Sequence, residues 1–281
     1  MIKSIALKSL NLSRWRDFLN FTLPVTIIGY GMGVRQSRGS VNFIHLLFVI
    51  GANILAIAFA FIINELEDAE DDGKKIDMNL ARRLSILTFS SSLLLYSLLG
   101  KTAFLFGFSV LTLSFLYSWK KVRLKAYPVI DVVSHCLMLG GLLFLSAFFV
   151  QGKALGQAVL MFSAITLTSA YGQFYNQVRD FEADKRAKLK NTSILIGKKY
   201  ASILMYSCIT GMIILTAYSF LLGILPLSFL PLGAAIFGVL LVLYRANVKE
   251  RDKKSGVPIV NVQSQFLIMF TILSLVYLFL V

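Results

Sequence analysis

Charge is scarce in this chain. Only 15% of its 281 residues are Asp, Glu, Lys or Arg, while 57% are hydrophobic, and the mean hydropathy is +0.75. A water-soluble domain of this length needs far more polar surface, so a soluble globular protein is excluded. Cysteine is nearly absent. Cys136 and Cys208 both lie inside apolar runs, without CxxC spacing and without a His partner nearby. That excludes a disulfide framework and a thiolate metal site, and leaves two small buried side chains.

What is present is a succession of apolar runs of roughly 17–25 residues, the length a bilayer asks of a helix. They fall at about 17–34, 43–66, 84–99, 103–118, 129–150, 154–178, 200–222, 226–244 and 260–281, punctuated by Gly, Pro and charge. Read as nine transmembrane helices, they make residues 1–281 a single all-α integral membrane domain with almost nothing outside the bilayer. The N-terminal MIKSIALKSLNLSRWRDF is short and basic. The apolar run after it has no small-residue cleavage site, so it reads as a retained helix rather than a signal peptide.

Charge placement gives the orientation. With the N-terminus inside, segments 1–16, 67–83, 119–128, 179–199 and 245–259 carry 24 of the 28 Lys and Arg residues. The other side has only Arg35, Arg38, Lys101 and Lys153. This is the positive-inside pattern, and inside is cytoplasmic for a prokaryotic plasma membrane. The net charge of +14 is therefore mostly an orientation signal. Scattered over short loops, it does not suit a nucleic-acid partner. The acids need a separate cause, because orientation hardly depends on them. All fourteen lie inside or near the inside ends of spans, seven of them in 65–77 and three in 180–184, and the outside loops have none.

The first cluster is NELEDAEDD, residues 64–72, placed directly after an apolar run. Asn64, Asp68 and Asp72 recur at i, i+4 and i+8. On a helix each step of four turns the position by only about 40°, so the three point to one side. YNQVRDFEAD repeats the spacing with Asn176, Asp180 and Asp184. The two sets begin at the inside ends of the second and sixth spans, from which they can face each other across one cavity. Carboxylates near lipid are costly unless something positive offsets them. Mg²⁺ takes oxygen ligands in octahedral geometry, usually a carboxylate or two with substrate phosphate and water. Two arrays suit more than one ion, and the ions make a diphosphate a good leaving group. From an allylic carbon its departure leaves a resonance-stabilised cation. One acid-rich stretch alone is ordinarily a solvated loop; the matched pair is what points to a metal site.

Other side chains are candidates around this centre. Lys120, Lys121, Arg123 and Lys125 can contact diphosphate oxygens, although orientation alone explains a basic loop. Among Lys185, Arg186, Lys188 and Lys190, one suits phosphate and the rest suit orientation or lipid headgroups. Asp131 and His135, in YPVIDVVSHCLMLG, stand one turn apart at the start of the fifth span. An intramembrane ionisable pair is a functional candidate, here for orienting an acceptor or taking a proton. The alternative is a mutual hydrogen bond that steadies the helix. Tyr117 and Tyr175 are the aromatic candidates for stabilising a carbocation and excluding water.

Taken together, these motifs resemble the UbiA superfamily of intramembrane prenyltransferases. That family has nine transmembrane helices around a central cavity, an N(D)xxDxxxD motif after the second helix and DxxxD after the sixth. Here they read Asn64-ELE-Asp68-AED-Asp72 and Asp180-FEA-Asp184. KRAKLKNTSILIGKKYA resembles the family's continuation through Asn191, Thr192 and Gly197. Its YxxxK appears as Tyr117 to Lys121, and its N-terminal Arg is matched by Arg14 or Arg16. Glu65 departs from the usual Asp, an Asn-Pro is missing after Asp72, and Arg82-Arg83-Leu84 replaces Arg-Pro-Leu.

The resemblance implies Mg²⁺-dependent transfer of a prenyl group from a polyprenyl diphosphate to a lipophilic acceptor: aromatic, quinone precursor or isoprenoid. Asn64, Asp68, Asp72, Asp180 and Asp184 would hold the metal and diphosphate, supported by Asn176. Lys121 and Arg14 or Arg16 would bind phosphate oxygens. Membrane lipids are the remaining partner. One alternative is a membrane terpene cyclase with the same site. Another is a non-catalytic carrier, which the gathering of acids at one face disfavours, since transporters keep their sites near the midplane.

Overall fold

The computed structural model describes residues 12–69, 76–251 and 259–280. The chain runs through α1 (Trp15–Ser37), α2 (Phe43–Asp68), α3 (Met78–Ser97), α4 (Lys101–Ser118), α5 (Ile130–Phe148) and α6 (Val159–Arg179). Two short helices follow, α7 (Phe181–Arg186) and α8 (Thr192–Ile196), then α9 (Lys198–Leu221), α10 (Phe229–Arg251) and α11 (Ile259–Leu280). No strand occurs among the described residues. Helices cover most of each expected apolar run, and among the described residues four of them, α2, α4, α5 and α9, are long and apolar enough to cross a membrane.

Local chemistry sets the helix ends. Asn42 caps α2 by accepting the Ile44 and His45 N–H groups at 3.0 and 3.2 Å, and Asp77 accepts the Leu80 N–H to start α3. At the opposite end of α9, the Arg35 guanidinium of α1 donates to the Gly223 and Ile224 carbonyls at 2.8 and 2.5 Å. The guanidinium satisfies two carbonyls of the turn that follows the helix, beyond its C-cap Leu222.

Two devices hold the bundle together. The first is a buried polar knot at Asn53 of α2. Its amide donates to Thr26 Oγ1 of α1 at 2.8 Å and to the Leu143 carbonyl of α5 at 3.2 Å, and its oxygen accepts from Tyr96 of α3 and Ser146 of α5. Every polar group of the knot has a partner, as burial among apolar helices requires. The second is close backbone approach. A methyl at Gly29 would stand 2.8 Å from the Phe144 carbonyl oxygen, and one at Gly33 would strike that of Phe148. The Gly29-xxx-Gly33 face thus lets α1 press directly on α5. α5 itself contains a π-helical turn, Leu137–Gly141, against which α6 packs closely at Gly140 and Gly141. Large apolar side chains left exposed, such as Ile213, Ile214 and Leu221 of α9, face outward, as a lipid-facing surface would.

Candidate active site

One end of the bundle gathers the polar residues. α2 delivers Asn64 and Asp68 there in its last turn. α4 stops at Ser118, and the chain then doubles back through Trp119–Tyr127, with Arg123 in the left-handed conformation at φ 46° and a 3₁₀ turn at Leu124–Ala126. That reversal carries Lys125 inward. Its ammonium donates to Asn64 Oδ1 at 2.8 Å and to Asp68 Oδ2 at 2.5 Å. Arg123 reaches Asp68 Oδ1 at 3.2 Å, Ser118 donates to Asn64 Oδ1 at 3.2 Å, and the Lys120 backbone N–H donates to Glu67 Oε2 at 3.0 Å.

α6 supplies the facing wall. Lys125, Tyr117, Gln173, Asn176, Asp180 and Asp184 all line one cavity of about 180 Å³. Lys125 is thus the residue that touches the first acidic motif and shares a cavity with the second. The second motif is not one straight helix. α6 ends at Arg179, Asp180 takes φ −91° and ψ 3°, and Asp184 lies on α7. The i+4 bonds Asp180 N–H to Asn176 O and Asp184 N–H to Asp180 O persist at 2.9 Å, which keeps the three residues on one side through the bend.

The electrostatics differ between the acids. Arg179 grips Asp180 through both carboxylate oxygens at 2.9 and 2.7 Å and holds its carboxyl below the usual carboxylate range. Burial pushes the Asp184 carboxyl upward, the Asn191 amide at 2.8 Å pulls it partly back, and the Asp180 charge raises it further. A carboxylate so placed is stabilised by an added cation. Among the described residues no three His, Cys, Asp or Glu side chains converge into a ready metal cluster. The donors present, carboxylate and amide oxygens with no thiol or imidazole in the cavity lining, are nonetheless the hard set that Mg²⁺ takes. Asn64, Asp68, Asp180 and Asp184 would hold it.

The remaining candidates are placed as follows. Asp72 and the Arg16 side chain lie outside the described residues. Arg14 pairs with Asp17 at 2.8 Å, lies over the Phe61 ring and approaches Glu65 at 3.6 Å, so it joins the start of α1 to the end of α2. Lys121 stands over the Trp119 ring at 5.7 Å and is not among the cavity-lining residues. Tyr117 lines the cavity and accepts from Gln173 at 3.4 Å, whereas Tyr175 lies beneath Arg179 and packs toward α9.

Asp131 and His135 do not bond each other. Asp131 is fully buried and accepts from the Thr192 N–H at 2.9 Å, the Thr192 hydroxyl and Gln177 at 2.7 Å. It fastens α5 to α6 and to the Asn191–Thr192 segment whose Asn191 holds Asp184. His135 Nδ1 is buried without a hydrogen-bond partner. Gln173 and Gln177 escaped the sequence reading as site residues, and Lys125 entered it only as one of four basic residues able to contact diphosphate oxygens. The signal for the glutamines is the i, i+4 spacing of amides on a face of α6 that is otherwise packed inside the bundle.

Comparison with known proteins identifies the family. A sequence model of the UbiA prenyltransferase family matches residues 22–270. The chain belongs to this family. It is a membrane-embedded enzyme that transfers prenyl groups. It is 26% identical over 229 residues to digeranylgeranylglyceryl phosphate synthase of Sulfolobus acidocaldarius, covering 72% of this chain and 78% of that one. The enzyme of the same name from Pyrococcus horikoshii is 32% identical over 119 residues, 42% of this chain and 41% of the other. A UbiA homologue from Archaeoglobus fulgidus, solved with GPP and Mg²⁺, superposes with a TM-score of 0.70 at 23% identity over 96% of this chain and 99% of the other. The same homologue with DMAPP and Mg²⁺ gives 0.70 at 24% identity over 98% and 100%. These likenesses fix the UbiA fold for this chain.

Proposed function

We propose that this enzyme carries out Mg²⁺-dependent transfer of a prenyl group from a polyprenyl diphosphate to the hydroxyl of a glyceryl phosphate lipid. The reading places all nine apolar runs across the bilayer in one domain, with the acidic end on the cytoplasmic side. The observation that carries it is Lys125, which binds Asn64 and Asp68 while lining the cavity of Asp180 and Asp184. The two acidic motifs thus serve one site. The glyceryl phosphate class of acceptor rests on the names of the Sulfolobus and Pyrococcus relatives.

Mg²⁺ bound by the two motifs would neutralise the donor diphosphate and stabilise charge on the departing oxygen. The chain's own residues do the rest. Lys125 and Arg123 supply fixed positive charge to the phosphate oxygens on the Asp68 side. Asn191 holds the Asp184 carboxylate, and Asp131 holds Asn191 in place through Thr192. Tyr117 lines the cavity and presents an aromatic ring where a cation develops, helping to exclude water that would quench it. The test is to supply geranylgeranyl diphosphate, Mg²⁺ and a glyceryl phosphate bearing one geranylgeranyl group to purified enzyme in detergent. A doubly prenylated lipid with release of diphosphate supports the reading. Transfer only to an aromatic acceptor, or a cyclised hydrocarbon formed without acceptor, overturns it.

A further inference from the structure

Two polar atoms between α5 and α6 have no part in the site described so far. His135 Nδ1 and Ser169 Oγ are both buried and both lack a hydrogen-bond partner. Orphaned buried polar groups are rare in folded proteins, and each calls for an explanation. Their positions are related. Asp131 of α5 bonds Gln177 of α6 at 2.7 Å, and two turns further along, a methyl at Gly140 would stand 2.9 Å from Ser169 Cβ. The two helices therefore run antiparallel, and His135 falls between these levels, opposite the Ser169–Gln173 turn. The His135 ring centroid lies 6.2 Å from that of Tyr117, whose hydroxyl bonds Gln173, and both Tyr117 and Gln173 line the diphosphate cavity. The π-helical turn of α5 begins at Leu137, two residues after the histidine. Such turns often mark functional positions.

We propose that His135 and Ser169 form the acceptor subsite, on the bilayer side of Tyr117. This rests on the proposed transfer to a hydroxyl acceptor. The hydroxyl donates to His135 Nδ1, and Ser169 Oγ donates to a neighbouring acceptor oxygen. In the transfer step the acceptor oxygen forms a bond to C1 of the prenyl group. The C1–O bond to diphosphate breaks, its electron pair leaving with the diphosphate, and the hydroxyl proton passes to Nδ1. A neutral imidazole has one lone pair for this task.

The experiment uses full-length enzyme with geranylgeranyl diphosphate, Mg²⁺ and the singly prenylated glyceryl phosphate. His135→Ala and His135→Gln are compared with wild type for donor affinity, thermal unfolding and transfer kinetics. The expected result is unchanged donor affinity and unfolding temperature, with kcat at saturating acceptor reduced on the order of 100-fold in both variants, the scale of a lost general base. Ser169→Ala is expected to raise the acceptor KM with little change in kcat. Wild-type kcat in His135→Ala overturns the proposal. So does recovery in His135→Gln, which keeps an acceptor atom but no base. So does joint loss of donor binding and transfer, which means a packing role. Wild type that binds donor but transfers to no hydroxyl acceptor instead removes the functional reading on which the proposal rests.

Discussion

Replacing Lys125 by Met removes one charge at the junction of the two acidic motifs while keeping most of the side-chain volume. In the structure the ammonium neutralises Asp68 and holds Asn64, and the two charged side chains are 17% and 18% exposed, so solvent screens the pair only in part. A hydrogen bond to a charged group is worth about 1.5–3 kcal/mol net. Losing one such contact to a donor phosphate, about 2 kcal/mol, weakens donor binding by roughly 30-fold. The metal responds in the opposite sense. Lys125 competes with any cation for Asp68 and Asn64, so the variant binds Mg²⁺ alone as tightly as wild type or more tightly. Isothermal titration in detergent, first with Mg²⁺ and then with geranylgeranyl diphosphate in saturating Mg²⁺, measures both. Equal weakening of metal and donor, or unchanged donor affinity, refutes the assigned role.

Other perturbations probe the supports. Asp131→Ala strips a carboxylate from the buried Thr192 N–H and Gln177 amide; about 3 kcal/mol of stability should go, read as a lower unfolding temperature, with Asp131→Asn milder. Gly33→Val forces α1 away from the Phe148 carbonyl and should cost about 1–3 kcal/mol in the same assay. Arg35→Ala removes two bonds to the turn after α9, far from the acids; it should lower the unfolding temperature by the equivalent of about 1–2 kcal/mol and leave kcat unchanged.

Much of this architecture is legible in the sequence because bilayers and carboxylates both impose simple rules. Apolar runs of membrane length become helices, and the i, i+4 spacing of Asn64 with Asp68 and of Asn176 with Asp180 places each pair on one side of a helix end. What spacing along the chain does not give is the path of a loop. Tyr117 and Lys121 are four apart, but α4 ends at Ser118, and the turn through Arg123 swings Lys125, not Lys121, onto Asn64 and Asp68. The same limit hides the partners of Asp131. Its nearest ionisable neighbour along the helix is His135, yet its oxygens are taken by Gln177 and Thr192, 46 and 61 residues away. The bend at Asp180 is also invisible to a helical template, because the i+4 bonds continue through it.

The central claim is that both acidic motifs serve one metal-dependent diphosphate site. Its most direct test is release of diphosphate from geranylgeranyl diphosphate in the presence of acceptor lipid, with Mg²⁺ or with EDTA. Wild type, Asp68→Ala and Asp180→Ala are compared, each checked for folding by its unfolding transition. The account predicts release that requires Mg²⁺ and is lost in both variants. Release that survives EDTA, or that one folded variant retains at the wild-type rate, contradicts it.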